Sequence, residues 1–375
     1  ATNEAGLGWE SDRDQVDCMA KLFEPITLRG VEVRNRIFIA PMCMYSCEDR
    51  DGMPNQWHLV HLGSRASGGA GMIIAEATAV RPDGRITPWC TGLWNEAQAA
   101  RWSEVNNFIR SQGAKSAIQL AHAGRKASTH REGSGVGSVS LEEGGWQTVS
   151  STDVAFDGYA APRELKTDEL ADLVQDWANS ARLAVAAGFD AIEIHAAHGY
   201  LIHQFLSPIT NERNDVYGGS LENRARLLLE IVIAVRAQMP EEMPLLVRFS
   251  ATDYREDGWD VEQCATVANW CADAGVDFFD ISSGGLIAGV QIPFGPGYQV
   301  PLAEKIALAV EEPVGAVGLI TEAEQAEAIL QSGAAEVILI ARASLRDPYW
   351  PLRAAHQLGV EVDYWPRQYT RGKWK

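Results

Sequence analysis

Eight short apolar runs, each followed by a stretch with helical character, set the strongest limit on how this chain can fold. The runs are Arg36–Pro41, Gly71–Ala77, Ser116–Ala121, Ala191–His195, Leu245–Ser250, Phe278–Ser282, Val314–Gly318 and Glu336–Ala341. Most are continuously apolar, the pattern of parallel strands covered on both faces. Helical periodicity lies between them at Asp168–Ala187, Leu221–Ala237, Val261–Ala274 and Glu322–Gln331. Ser220 reads as an N-cap, and Thr321 with Glu324 as a capping box. Eight β-then-α units favour an α/β fold of the closed (β/α)8 TIM-barrel type over a doubly wound sheet.

The 375 residues, 46% hydrophobic, suffice for one large α/β domain or two ordinary ones, and no break with its own core divides them. We expect a single domain over 19–375. The polar, acidic segment 1–18 before it reads as a poorly ordered extension rather than a signal peptide, and Met19-Ala-Lys21 as a natural start. One long irregular piece, Arg125 to Lys166, follows the third strand. On a barrel that position faces the catalytic end, so the loop is expected to act as a partial lid.

The net charge of −18 disfavours nucleic acid or an anionic membrane as partner. Six cysteines without a CxxC pair argue against a disulfide framework or an iron–sulfur site and for a reducing cytoplasm. No apolar run approaches a membrane span.

Chemistry in such barrels sits at the C-terminal strand ends. Read in order, those ends carry Ala40-Pro-Met-Cys43, Glu76-Ala-Thr78, Gln119-Leu-Ala-His122, His195-Ala-Ala-His-Gly-Tyr200, Arg248-Phe-Ser250, Ser282-Ser-Gly-Gly285, Gly315-Ala-Val-Gly318 and Ile340-Ala-Arg342. Two imidazoles and a phenol leave the fourth strand together. Imidazoles can hold a polarised oxygen and a phenol can donate a proton, which suits chemistry on a carbonyl compound. Gly318 permits close backbone approach and Arg342 can pair with an anion, so the last two ends read as a phosphate site. His195, His198 and His203 can alternatively be read as a zinc set for a metal-dependent hydrolase, although no acidic ligand follows at a recognisable spacing.

The segments Pro41-Met-Cys-Met-Tyr45, Gln119-Leu-Ala-His-Ala-Gly-Arg-Lys126, His195-Ala-Ala-His-Gly-Tyr200 and Asp215-Val-Tyr-Gly-Gly-Ser-Leu-Glu-Asn-Arg224 resemble the old yellow enzymes, FMN-containing barrel ene-reductases. Cys43 and the ending Tyr369-Thr-Arg-Gly372 are similar to the subgroup called thermophilic-like. The resemblance implies FMN held by Ala40, Pro41, Met42, Cys43, Ala77, Gln119, Arg248, Gly318, Ala341 and Arg342, with Ala341 standing where members commonly have Gly. It implies that His195 and His198 hold the substrate oxygen and that Tyr200 protonates the α-carbon opposite a hydride from flavin N5. NADPH or NADH supplies the electrons in a ping-pong cycle. Arg248 would favour anionic reduced FMN, and Gln119 would offer its amide to the same flavin edge. Tyr45 would line the substrate cavity, Cys43 would adjust the flavin potential, and Arg371 would enter a neighbouring subunit's site in a homodimer or homotetramer. Implied substrates are α,β-unsaturated aldehydes and ketones, maleimides or nitroalkenes. A non-catalytic flavin sensor reporting through Cys43 is the remaining alternative.

Overall fold

The computed structural model describes residues 20–374, and the expected extension 1–18 lies outside them. Eight parallel strands close into a barrel in chain order: β1 (Ile37–Ile39), β2 (Met72–Ala79), β3 (Lys115–Ala121), β4 (Ala191–Ala196), β5 (Leu245–Ser250), β6 (Phe278–Ser282), β7 (Val314–Ala316) and β8 (Val337–Ile340). Each expected run supplies one strand. Closure is made by β8 against β1, with Ile338 opposite Ile37 and Ile340 opposite Ile39.

Because every strand is covered on both faces, alternate residues enter two different environments. Ile73, Ile118, Ile192, Val247, Phe279 and Ile338 point outward into a shell shared with helix residues such as Trp102, Trp177 and Leu228. Phe38, Ile74, Ala117, Ala191, Leu246, Phe278 and Leu339 point inward, where they meet Ile26, Leu28 and Val33. Those last three belong to an antiparallel hairpin, Ile26–Leu28 with Val31–Val33, that plugs the N-terminal end of the barrel. The N-terminal segment is also tied to the far end of the chain, since the amides of Lys21 and Leu22 donate to the Glu327 carboxylate at 3.0 and 2.9 Å.

Helices run over Thr167–Ala186, Leu221–Arg236, Val261–Asp273 and Ala323–Ser332, each within a residue or so of its expected span. Ser220 caps as expected, accepting from the Asn223 amide. The Thr321 capping box does not form. Glu322 is the N-cap there, without a side-chain cap bond, and the Thr321 amide donates instead to Gln325 Oε1. The stretch after β3 is not wholly irregular, for it pairs Val149–Ser150 with Arg163–Glu164. Among the described residues no helix is long and apolar enough to cross a membrane.

Candidate active site

His195 is the penultimate residue of β4, in register with Arg248 on β5. Its Nδ1 accepts the Ala197 amide at 3.2 Å, so the neutral ring carries its proton on Nε2. His198 follows in a left-handed conformation, φ 58°. Its amide donates to Ser250 Oγ at 2.9 Å, and its Nε2 lies 2.7 Å from Ser282 Oγ. The His195 ring stands 5.2 Å from His198 and 5.0 Å from Tyr200, near-perpendicular to both. Burial, and after it the Arg248 guanidinium, hold both imidazoles well below the ordinary histidine pKa. Burial pushes the Tyr200 phenol well above its usual value. At neutral pH the three groups are therefore uncharged and able to donate protons.

The loop geometry that presents them depends on close backbone contact. Gly285 has φ 89°, and a Cβ there would lie 2.7 Å from His198 Cα. The Lys126 ammonium donates to the carbonyls of His198 and Gly285, both at 2.8 Å, and sits 5.1 Å from the Tyr200 ring centroid. Burial brings its pKa down to about 8.

His203 does not join the pair as a ligand. Its Nδ1 accepts the Gly199 amide at 2.9 Å and its Nε2 lies 2.8 Å from Asp253 Oδ1, so both ring nitrogens are committed to bracing the loop. Among the described residues no group of three or more His, Cys, Asp or Glu side chains could hold a metal ion. The three-histidine metal reading thus loses its third ligand.

At the end of β1, the Ala40 amide donates to Ile340, and Pro41, Met42 and Cys43 are half-buried. Glu76 braces this segment: its Oε2 accepts the Met44 amide at 3.1 Å and its Oε1 lies 3.2 Å from His58 Nε2. Cys43, Tyr45, Tyr200 and Trp146 pack together on Ala77, Ile86, Cys90 and Ala121. Burial, reinforced by Cys90 and Glu76, raises the Cys43 thiol well above the usual range. That is the opposite of the lowered pKa a thiolate sensor requires.

Below the histidines, Gln119 donates from Nε2 to Glu193 Oε1 at 2.8 Å, and Arg248 Nε lies 3.0 Å from Asp280 Oδ2. One of the two Gln119 amide N–H groups is thus committed to Glu193, which leaves the other N–H and the amide oxygen for a further partner. Between the ends of β6, β7 and β8 lies a cavity of about 220 Å³, with Ser282, Gly318, Thr321, Ala341, Arg342 and Arg346 in its wall. Two guanidinium groups and no carboxylate line it. Neither arginine is in an ion pair among the described residues. Gly318 has φ 118°, and a Cβ there would come within 2.7 Å of Gln299 Nε2. A cation-lined cavity beside a neutral donor cluster fits a phosphorylated planar cofactor.

The comparison with known proteins agrees. The model of the NADH:flavin oxidoreductase / NADH oxidase family matches residues 21–361. The chain belongs to this family, the old yellow enzymes. The NADPH dehydrogenase of Halalkalibacterium halodurans is 44% identical over 351 residues, covering 94% of this chain and 98% of that protein. An old yellow enzyme homologue from Zymomonas mobilis superimposes with a TM-score of 0.76 at 30% identity, over 94% and 98% of the two chains. Morphinone reductase in complex with tetrahydroNAD gives 0.74 at 29%, over 91% and 92%. This old yellow enzyme is therefore an oxidoreductase with FMN as cofactor and NAD(P)H as electron donor.

The strand-end residues expected from sequence converge on one face of the barrel. Arg371 does not. It lies in the exposed turn Arg367–Gly372, where the neighbouring Tyr369 packs on Tyr349 at 5.8 Å. Sequence reasoning named Glu76, Ser250 and Ser282 at the strand ends and Lys126 in a motif without giving them roles, and it assigned nothing to Glu193 and Asp280. Glu193 and Asp280 did carry a signal, since a charged residue inside an otherwise apolar buried strand needs a partner.

Proposed function

We propose that this old yellow enzyme is an ene-reductase of the thermophilic-like subgroup, acting on the activated C=C bond of α,β-unsaturated carbonyl compounds, maleimides or nitroalkenes. The observation that carries the reading is the cluster of two neutral imidazoles and a protonated phenol at the end of β4, with rings 5.0–5.2 Å apart. FMN would be held by Ala40 to Cys43, Ala77, Gln119 and Arg248, with its phosphate on Gly318, Ala341 and Arg342. An Ala341 amide donates as well as a glycine's. When bound there, FMN would supply the hydride chemistry that links oxidation of NAD(P)H to reduction of the second substrate's β-carbon.

The protein's own part is to hold an oxygen and move a proton. His195 donates from Nε2. For His198 to donate from Nδ1, its Nε2 must accept the Ser282 hydroxyl proton, and the 2.7 Å contact supports this over the 3.3 Å contact from Ser282 to Gln299. Two neutral donors on one oxygen stabilise the negative charge that develops as the β-carbon is reduced. Tyr200 O–H then supplies the proton to the α-carbon. Tyr45 and Trp146 pack in the same cluster as Tyr200 and would line the space for the substrate. Trp146 comes from the loop after β3, which supports reading that loop as a partial lid. Arg371, exposed in its own chain, would complete the site of a neighbouring subunit in a homodimer or homotetramer. The acidic, disulfide-poor composition supports a cytoplasmic setting.

The deciding experiment is the anaerobic visible spectrum, recorded before and after NADPH and then after cyclohexenone. Bleaching followed by return of the flavin band is expected. A bleached band that does not return sinks the ene-reductase reading. Tyr200→Phe should slow the return while leaving bleaching intact, and equal loss in both steps would remove Tyr200 as proton donor. Truncation before Arg371 should weaken ligand binding, and full activity in a truncated monomer would remove the shared site.

A further inference from the structure

One level of the barrel interior is polar. Gln119, Glu193, Arg248 and Asp280 project into it from the consecutive strands β3 to β6, at 2%, 0%, 6% and 0% exposure. Gln119 serves Glu193 Oε1, and Arg248 Nε lies beside Asp280 Oδ2. Three carboxyl oxygens, Glu193 Oε2 and both of Asp280, nevertheless lack a hydrogen-bond donor, and Arg248 Nε lacks a well-aligned acceptor.

The charges do not balance either. Two ionised carboxylates against one guanidinium would leave a buried net negative charge, and a buried group in that position takes up a proton instead. The surrounding elements offer no second cation. His195, one level above on β4, is held neutral. Lys126 spends its ammonium on two carbonyls above the histidines. The inward residue of β2, Glu76, is itself acidic and is turned to His58 and the Met44 amide.

We propose that Glu193 and Asp280 share one proton: Glu193 is a neutral acid donating from Oε2 to Asp280, and Asp280 stays ionised against Arg248. The arrangement supplies the missing donor and brings the level to zero net charge. Burial and the neighbouring Asp280 charge both push the Glu193 carboxyl well above the usual carboxylate range, while Arg248 draws Asp280 back toward ionisation. The pair positions Arg248 rather than touching substrate. On the reading that Arg248 faces the flavin, which this consequence rests on, Asp280 contributes its charge to the flavin potential and Glu193 contributes none.

Infrared spectroscopy of the wild-type holoenzyme at pH 7 tests the proton directly. A carbonyl stretch from a protonated buried carboxyl is expected, and it should vanish in Glu193→Gln. Flavin midpoint potentials test the consequence. Glu193→Gln, an uncharged mimic of the acid, should match wild type. The double variant Glu193→Gln/Asp280→Asn should favour reduction about tenfold, about 30 mV for a two-electron couple. Absence of the band, or a Glu193→Gln potential already raised, overturns the shared proton. A band present with a double variant unshifted from wild type keeps the proton and overturns the placement of Arg248 against the flavin. Absence of the band is read on the wild type, so that outcome overturns the proposal even where a variant fails to fold.

Discussion

The two ends of the barrel interior are made of different materials. Toward the hairpin, Phe38, Ile74, Leu246, Phe278 and Leu339 fill the space with apolar side chains alone. Two residues further along the same strands, the inward positions hold Gln119, Glu193, Arg248 and Asp280, and then His195 and Ser282. The apolar level gains stability from burial, roughly 1.5–3 kcal/mol for a fully buried large side chain. The polar level buries ionisable groups at a cost and holds them in place through hydrogen bonds. Stability and chemistry are thus separated by one step of the strand period.

Substitutions at the two ends should therefore fail in different ways. Phe278→Ala should cost about 3–5 kcal/mol of unfolding free energy in denaturant melts, while folded molecules keep their turnover. His195→Ala should do the reverse. It should lower kcat for enone reduction by about 10²–10³-fold and move the unfolding free energy by less than about 1 kcal/mol. A large stability loss in His195→Ala would erase the contrast.

Lys126 sharpens it through pH. Burial lowers its folded pKa to about 8 from an ordinary 10.5, so the charged form is penalised by folding. That penalty is complete below pH 8 and relieved as pH rises toward 10.5. Relative to Lys126→Met, the wild type should gain up to about 3 kcal/mol of stability across that window. A gap that does not change with pH would mean the ammonium is not desolvated. The smallest effect is expected from Ser282→Ala. Freeing the His198 tautomer should cost about 1 kcal/mol, seen as a modest fall in kcat/KM with unchanged melts.

The barrel was legible because its strands are apolar on both faces, which leaves few other homes for eight such runs. Covering both faces also conceals direction. In Ala191-Ile-Glu-Ile the letters do not say which residues point inward, so Glu193 and Asp280 went unassigned until the parity of the barrel was known. The hairpin at Ile26–Val33 was missed because its strands have only three residues each. Thr321 misled because its backbone serves other partners, its amide giving to Gln325 and its carbonyl accepting from Trp350 Nε1 at 2.7 Å. At the site, the strand-end histidines and Tyr200 were visible as a motif. Lys126 and Ser282 act through contacts with loops remote in sequence, which spacing does not encode.

The seam between β8 and β1, with the Glu327 carboxylate gripping the amides of Lys21 and Leu22, has a bearing on birth as well as on shape. A ribosome adding roughly 5–20 residues per second needs about 15–60 s to make the intervening stretch. Through that interval the first strand has no eighth strand to close against. The proposed flavin contacts span the same gap, from Ala40 to Arg342, so the set that would hold the cofactor is incomplete until Arg342 has been made.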